Sequence, residues 1–368
     1  MEARGFEVHV LDFVNPEKSE TFNPLDSIRR KKERYRDMEG MLNIQETYNK
    51  ADLRRLVNIM LPDNAERDKF WVKTPRQILI SCIALVLETF PKKEQHMGSV
   101  VKVYHDLLVQ AEIFRLRYRE GKGDAIIPLF DDNPNLDITS FAYEAYKGWR
   151  GSIIPENTWG CLVGFTGNAL EAFTVPEYRR LFNKPGSFEL AELGRRKIVL
   201  FLNVSDTDRC MDSMINTFYT TVLQKLCEEA DSQPDGRLKV PVRIMMDDFA
   251  SNVFIEDFDK IISVIRSREI YVSVILQNIA QLEGMYGQAR ACSIAENCDS
   301  TLFFGGSDPR TMTYLASRMN RSPSCLQKLS NSKLILLTRG KDYKVLEKIK
   351  YWTMDLEEFA TLDKGAEA

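Results

Sequence analysis

The segment Lys197-Ile198-Val199-Leu200-Phe201-Leu202-Asn203-Val204 constrains the fold most. A near-continuous apolar run rich in β-branched residues, bounded by polar sequence, reads as a strand buried on both faces, the kind found inside a parallel sheet. Beyond it the pattern alternates. A helix is expected over about 210–230, a strand over 240–247, a helix over 257–266 and a strand over 270–276. A helical stretch over 279–297, a strand over 300–304, a helix over 309–318 and a strand over 333–338 complete the series. Strands that alternate with helices imply an α/β fold with a parallel sheet and right-handed crossovers. A further short strand, Glu7 to Phe13, stands near the start.

Between the two strand-bearing ends the pattern is helical. Ala51–Met60 and Pro75–Phe90 read as helices, the second so apolar that it must be buried. Apolar residues at helical spacing fill 100–119, and a turn-rich Asp131–Asp137 precedes a helix over 140–149. The organisation expected is therefore a first part over 1–90, an all-α insertion over 91–164 and a second part over 165–368.

Composition sets limits. With 44% hydrophobic residues and a net charge of −3, the chain is neither disordered nor histone-like, so any nucleic-acid contact must use local patches. The longest apolar stretch, Ile78–Leu87, falls short of the roughly 20 residues a membrane helix needs. The first residues lack the apolar core of a secretory signal. Seven scattered cysteines without a CxxC pair read as free thiols, mostly buried, in a reducing compartment. Three histidines, His9, His96 and His105, show no ligand spacing.

The chemistry concentrates at Val242–Asp248, where an apolar strand ends in two carboxylates, Asp247 and Asp248. Ligands of open α/β sheets bind at the carboxyl ends of strands. There, a first acid can hold Mg²⁺ through water and a second can orient or deprotonate an attacking water, which is the logic of a Walker B element. An acidic pair opening a helix, favoured by its dipole, is the plainer alternative. Gln277, at the end of the next strand, could sense a terminal phosphate or could simply cap the strand. Arg266 could reach a neighbouring subunit's nucleotide as an arginine finger, or could be a cation at a helix C-terminus. No Gly-x-x-x-x-Gly-Lys-Ser/Thr phosphate loop occurs in the sequence.

Two basic clusters are candidate DNA contacts. One includes Arg29, Arg30, Lys31 and Lys32; the other includes Arg115 and Arg119. The plainer reading of each is a solvated face. Trp71, Trp149, Trp159 and Trp352 read as packing residues.

The order of these motifs resembles the type IV secretion coupling proteins, the TraG-like conjugative DNA-transfer ATPases. The resemblance rests on Gly5–Asp12 with Phe22–Leu25, on Asp68–Trp71, on Pro241–Phe249 with Ile255–Phe258, on Arg266–Ile270 running into Ile275–Asn278 and Gln281-Leu282, and on Asn297–Ser300 with Phe304–Gly306. It implies a RecA-like P-loop NTPase sheet, incomplete at its N-terminus, with an inserted all-α domain. It implies ATP and Mg²⁺ as ligands, and the relaxase–DNA complex, single-stranded DNA and the secretion channel as partners. Hexamers at the cytoplasmic face of the membrane are implied too, although this chain itself reads as soluble. Asp247 falls on the Mg²⁺ acid, Gln277 on the family's glutamine and Arg266 on the finger. Asp248 departs from the family's usual glutamate. The phosphate loop and membrane anchor would lie upstream of Met1, so the chain alone is expected to be inactive as an ATPase. A non-enzymatic relaxosome- or DNA-recognition module and one half of a split ATPase are the alternatives.

Overall fold

The computed structural model describes residues 5–36, 41–62, 68–121, 125–186, 189–205, 207, 209–249 and 254–350. The chain divides into two compact units. The first comprises Met1–Ile244, Asn252–Glu256 and Ile265–Tyr271; the second comprises Met245–Ser251, Asp257–Val264 and Val272–Ala368.

In the first unit, β1 (Glu7–Asp12) and β4 (Ile198–Asn203) pair in parallel, from Glu7 opposite Ile198 to Asp12 opposite Asn203. Asp12 ends β1: its Oδ1 accepts from the N–H groups of Val14 and Asn15 at 2.8 and 2.7 Å and from Asn203 Nδ2 at 3.0 Å. Such local side-chain bonds compete with the ladder and turn the chain. The long sequence between these paired strands builds a hairpin and a helical body. The hairpin joins β2 (Arg30–Arg36) to β3 (Leu42–Tyr48) in antiparallel register.

The longer helices are α1 (Lys50–Met60), α2 (Lys69–Thr89), α3 (Met97–Arg119), α4 (Phe141–Trp149), α5 (Glu156–Thr174) and α6 (Asp212–Ser232). Asn49 caps α1 and Asp68 caps α2, each accepting a backbone N–H of the first turn. The apolar α2 packs against α1, α3, α4 and α5, and Ile78 through Val86 are buried. Helices expected as an insertion over 91–164 thus share their core with a helix that begins well before residue 91. Because it starts at Lys69, α2 is long and apolar enough, by length and composition alone, to cross a membrane. Counting only its apolar centre from the sequence missed that, yet protein rather than solvent meets its central residues.

Trp149 and Trp159 stack at 5.9 Å, and Trp149 Nε1 donates to Ser81 Oγ at 3.2 Å. Both are buried and Trp71 is half-buried, as packing residues should be; Trp352 lies outside the described residues. The cysteines differ from expectation. All seven are free, but only Cys82 is buried; Cys161, Cys210, Cys292 and Cys325 are exposed. A helix offers an outward face to any small residue, whatever its hydrophobicity.

The strands β5 (Val242–Met246) and β6 (Ile270–Val274) pair with each other, and the divide between the units cuts through both. The second unit continues through α7 (Phe258–Val264), α8 (Ile279–Tyr286), α9 (Gln288–Glu296), β7 (Ser300–Phe303), α10 (Pro309–Met319), β8 (Lys333–Thr338) and β9 (Lys344–Glu347). The single helical stretch expected over 279–297 is two helices, because Gly287 takes φ 76°, a left-handed turn that side chains resist. Phe303, Met312, Leu315, Met319, Leu326, Ile335 and Leu337 form this unit's core between α10 and the strands. One part of the alternation comes out differently: β8 runs antiparallel to β7, and β9 antiparallel to β8. Strand direction depends on where the connection returns, which apolar periodicity does not encode.

Candidate functional site

At the end of β5 the chain turns sharply. Asp248 takes φ 48°, a left-handed conformation that Asp tolerates better than most residues because its short side chain bonds locally. The preceding carboxylate supports the turn: Asp247 Oδ1 accepts from Asp248 N–H at 3.0 Å. After the turn, Phe249 N–H donates to Ile275 O at 3.0 Å, and Ile275 N–H donates to Met246 O at 2.9 Å. The Phe249 ring is buried against Phe258 and Tyr286, at 5.0 and 5.9 Å. Backbone pairing and this aromatic anchor hold the acidic turn beside the end of β6.

That placement brings Gln277 to Asp248. Gln277 Nε2 donates to Asp248 Oδ1 at 3.1 Å, while its Oε1 accepts from Gln281 Nε2 at 3.2 Å. Gln281 is itself held at the start of α8, where its N–H donates to the capping Asn278 Oδ1 at 2.8 Å. The relay fixes which end of the Gln277 amide faces the acid, since a flipped amide would set two acceptors together. Gln281 carries no role in the motif reading. Its place in the first turn of α8, directly after Gln277 and the capping Asn278, was the available signal. Asp247 and Gln277 are exposed and Asp248 half-buried, so the group is open to a ligand.

The donor chemistry suits a hard divalent cation. Among the described residues no cluster of three or more His, Cys, Asp or Glu could hold a metal by itself. Mg²⁺ does not need one: it keeps several waters and is held through one or two carboxylates plus substrate phosphates. Asp247 could be such a carboxylate, with Asp248 beside it.

The other candidates belong to the first unit. Arg266 is exposed and opens a short 3₁₀ turn, Arg266–Arg268, in the first unit. The helix expected to carry it ends earlier, at Val264. Of the basic candidates, Lys31 and Lys32 are exposed on β2, and Arg30 Nη2 donates to Gln95 Oε1. Arg29 serves the interior. Its Nε and Nη2 donate to Asp52 at 2.7 and 2.8 Å, its N–H donates to the same carboxylate at 3.1 Å, and Nε lies 3.2 Å from Glu228. Arg115 is only 7% exposed and pairs with Glu112 and Glu156 at 3.0 Å each. Both guanidinium groups are thus engaged by carboxylates of the protein, Arg115 in the interior and Arg29 with its side chain 41% exposed, pairings that the linear charge run could not reveal. Arg119 is exposed and bonds Glu156 at 2.6 Å.

Comparison with known proteins gives three findings. The family model described as type IV secretory system conjugative DNA transfer matches residues 1–322. A search of curated protein sequences gives no match. Among solved structures, the plasmid coupling protein TrwB in complex with ADP and Mg²⁺ is similar at TM-score 0.59 and 15% identity, over 95% of this chain and 80% of that one. TrwB with the ATP analogue ADPNP gives 0.57, also at 15% identity and over the same shares of the two chains. The unbound bacterial conjugative coupling protein TrwBdeltaN70 gives 0.57 at 15% identity, over 95% of this chain and 79% of that one. The likeness carries the fold: a RecA-like P-loop NTPase sheet with an all-α part.

Proposed function

The chain belongs to the type IV secretory system conjugative DNA-transfer family, and from that membership we propose that it works in ATP-driven recruitment and passage of single-stranded DNA. The relaxase–DNA complex and the secretion channel are its partners in this reading. It acts as a homo-oligomer, a hexamer as in the resemblance, at the cytoplasmic face of the membrane.

The observation that carries the ATP-linked part is the Gln277–Asp248 hydrogen bond at 3.1 Å. It ties an acid at one strand end to an amide that follows the next strand, the arrangement a nucleotide sensor needs. In this reading Asp247 would hold Mg²⁺, and Asp248 would orient the attacking water and receive its proton. Gln277 keeps the Asp248 carboxylate aimed, and Gln281 keeps Gln277 from rotating. Bound there, Mg²⁺ supplies charge neutralisation at the phosphates. Arg266 is assigned to a neighbouring subunit's nucleotide. The TrwB complexes with ADP and Mg²⁺ and with ADPNP support nucleotide binding by this fold. The sequence contains no Gly-x-x-x-x-Gly-Lys-Ser/Thr loop, so the phosphate cradle has to come from another segment or polypeptide.

The test is phosphate release, followed with malachite green on the whole chain with single-stranded DNA. Alone, the chain should match its Asp247→Ala variant at background. Mixed with a family polypeptide that carries a phosphate loop, it should turn over. In that mixture Asp248→Ala should lose about 10²-fold or more, the usual worth of a general base. Robust hydrolysis by the chain alone would refute the outside loop. Undiminished hydrolysis by Asp247→Ala in the mixture would refute the acid pair.

A further inference from the structure

The basic run after residue 28 is a strand, and its register sorts its charges. Arg30 lies opposite Tyr48, Lys32 opposite Glu46 and Arg34 opposite Ile44. Alternate residues of a strand share a face, so Arg30, Lys32 and Arg34 stand in one row while Lys31 and Glu33 stand on the other. Among the described side chains, the first face carries three cations against the single acid Glu46. The second carries one cation against one acid. All five side chains from Arg30 to Arg34 are exposed. At its Arg30 end the row reaches the lining of a cavity of about 860 Å³, to which Lys92, Lys93 and Lys225 contribute together with the acids Glu20, Asp26 and Glu189.

Spacing fits a phosphodiester backbone. Two residues of a strand advance about 6.6–6.8 Å. Charges on one nucleic-acid strand advance about 3.4 Å along the axis of a duplex, and winding sets neighbouring phosphates farther apart through space than that. A row of cations at this pitch can therefore meet successive phosphates of one strand, and that the strand is single rests on the DNA-transfer reading. We propose that the β2 face bearing Arg30, Lys32 and Arg34 is a track for the phosphodiester backbone of extended single-stranded nucleic acid, entering or leaving beside the Lys92–Lys93 rim. The proposal rests on the DNA-transfer function and adds where the strand lies. No exposed aromatic belongs to the row among the described side chains, so the contact is to phosphates and carries no sequence preference.

The experiment is fluorescence anisotropy of a labelled 20-mer oligothymidine with the whole chain, titrated at several salt concentrations. Each single-strand phosphate contact contributes about 0.7 to the slope of log K against log salt. The double variant Lys32→Gln/Arg34→Gln removes two contacts. It should lower the slope by about 1.4 and weaken binding about 25-fold at 0.1 M salt. Glu46→Gln, which takes the acid off the same face, should tighten binding, and Lys31→Gln on the opposite face should leave it within about twofold. These residues are exposed, and an unchanged circular dichroism melt confirms that each variant folds. A double variant that binds with the wild-type slope overturns the track and leaves the DNA-transfer reading standing. A wild-type chain that fails to bind the oligonucleotide also overturns it. The function itself is judged separately by the hydrolysis experiment, which uses none of these side chains.

Discussion

Removing Arg29 should unfold the first unit more readily than removing its partner, and the size of the difference comes from burial. The Asp52 side chain is 1% exposed, whereas that of Arg29 is 41% exposed. Asp52 sits in the first turn of α1, where the dipole favours a negative charge. It accepts three bonds from Arg29, and Arg55 lies 3.7 Å away. In Arg29→Ala the carboxylate stays buried with its main partner gone. Breaking a buried pair from one side costs about 3–5 kcal/mol, and the nearby Arg55 places this case near the lower figure, at about 3 kcal/mol. In Asp52→Ala the orphan is a guanidinium that already reaches water and stays close to Glu228. The loss is then about 1–2 kcal/mol, from hydrogen bonds and the helix-start charge. Urea unfolding followed by tryptophan fluorescence reads this unit directly, because Trp149 and Trp159 are buried in it. Half-molar salt should change either loss little, since screening acts weakly on a buried pair. Losses below about 0.5 kcal/mol for both variants, or a larger loss for Asp52→Ala, would refute the assignment. Arg29 would then return to the pool of surface cations available to DNA.

Three further outcomes are expected at other sites. His9 lies between Glu20 and Glu7, at 2.6 and 2.8 Å. Burial opposes its charge, but the hydrogen bonds to Glu20 and Glu7 outweigh that and raise its pKa. The contribution is therefore full below about pH 6.5 and is lost as pH rises through the folded value; wild type and His9→Gln should converge in urea midpoint on the alkaline side, and a gap that does not change with pH would contradict this. The left-handed Asp248 predicts that Asp248→Asn melts with the wild type, while Asp248→Val loses roughly 1–2 kcal/mol to backbone strain; equal calorimetric melts for the two would rule strain out. Thiol labelling with Ellman's reagent should modify Cys161, Cys210 and Cys325 quickly, with Cys292 slowed because its bond to Glu296 raises its pKa. Cys82, fully buried and pushed up to about 12 by desolvation, should react only on unfolding, and mapped peptides showing early labelling there would contradict the core packing of α2.

What the sequence alone determined is what short-range chemistry writes into neighbouring residues. The apolar run at Ile198–Asn203 and the shorter one at Val242–Met246 announced strands because short runs rich in β-branched residues favour an extended backbone, but the expected burial of the first on both faces is not met, since Phe201 is 51% exposed and no residue of that strand is fully buried. The acids at Asp247 and Asp248 were visible because a strand end is marked by the first charges after it. Pro75–Phe90 was legible as a buried helix by being apolar on nearly every side, although the helix begins earlier, at Lys69. Tertiary structure decided whatever depends on residues distant in the chain. The β2–β3 hairpin has no apolar alternation to betray it, so its cations read as a featureless run until pairing with Leu42–Tyr48 sorted them onto two faces. Arg29 and Lys32 look alike in the sequence. Only the approach of α1, with the buried Asp52, gave one a carboxylate partner and left the other exposed on its strand. The bond from Gln277 to Asp248 spans 29 positions. It exists because β5 and β6 lie side by side, and the energy that pairs them comes from backbone hydrogen bonds and from rings such as Phe249 and Phe258 packing behind the turn, which no local pattern specifies.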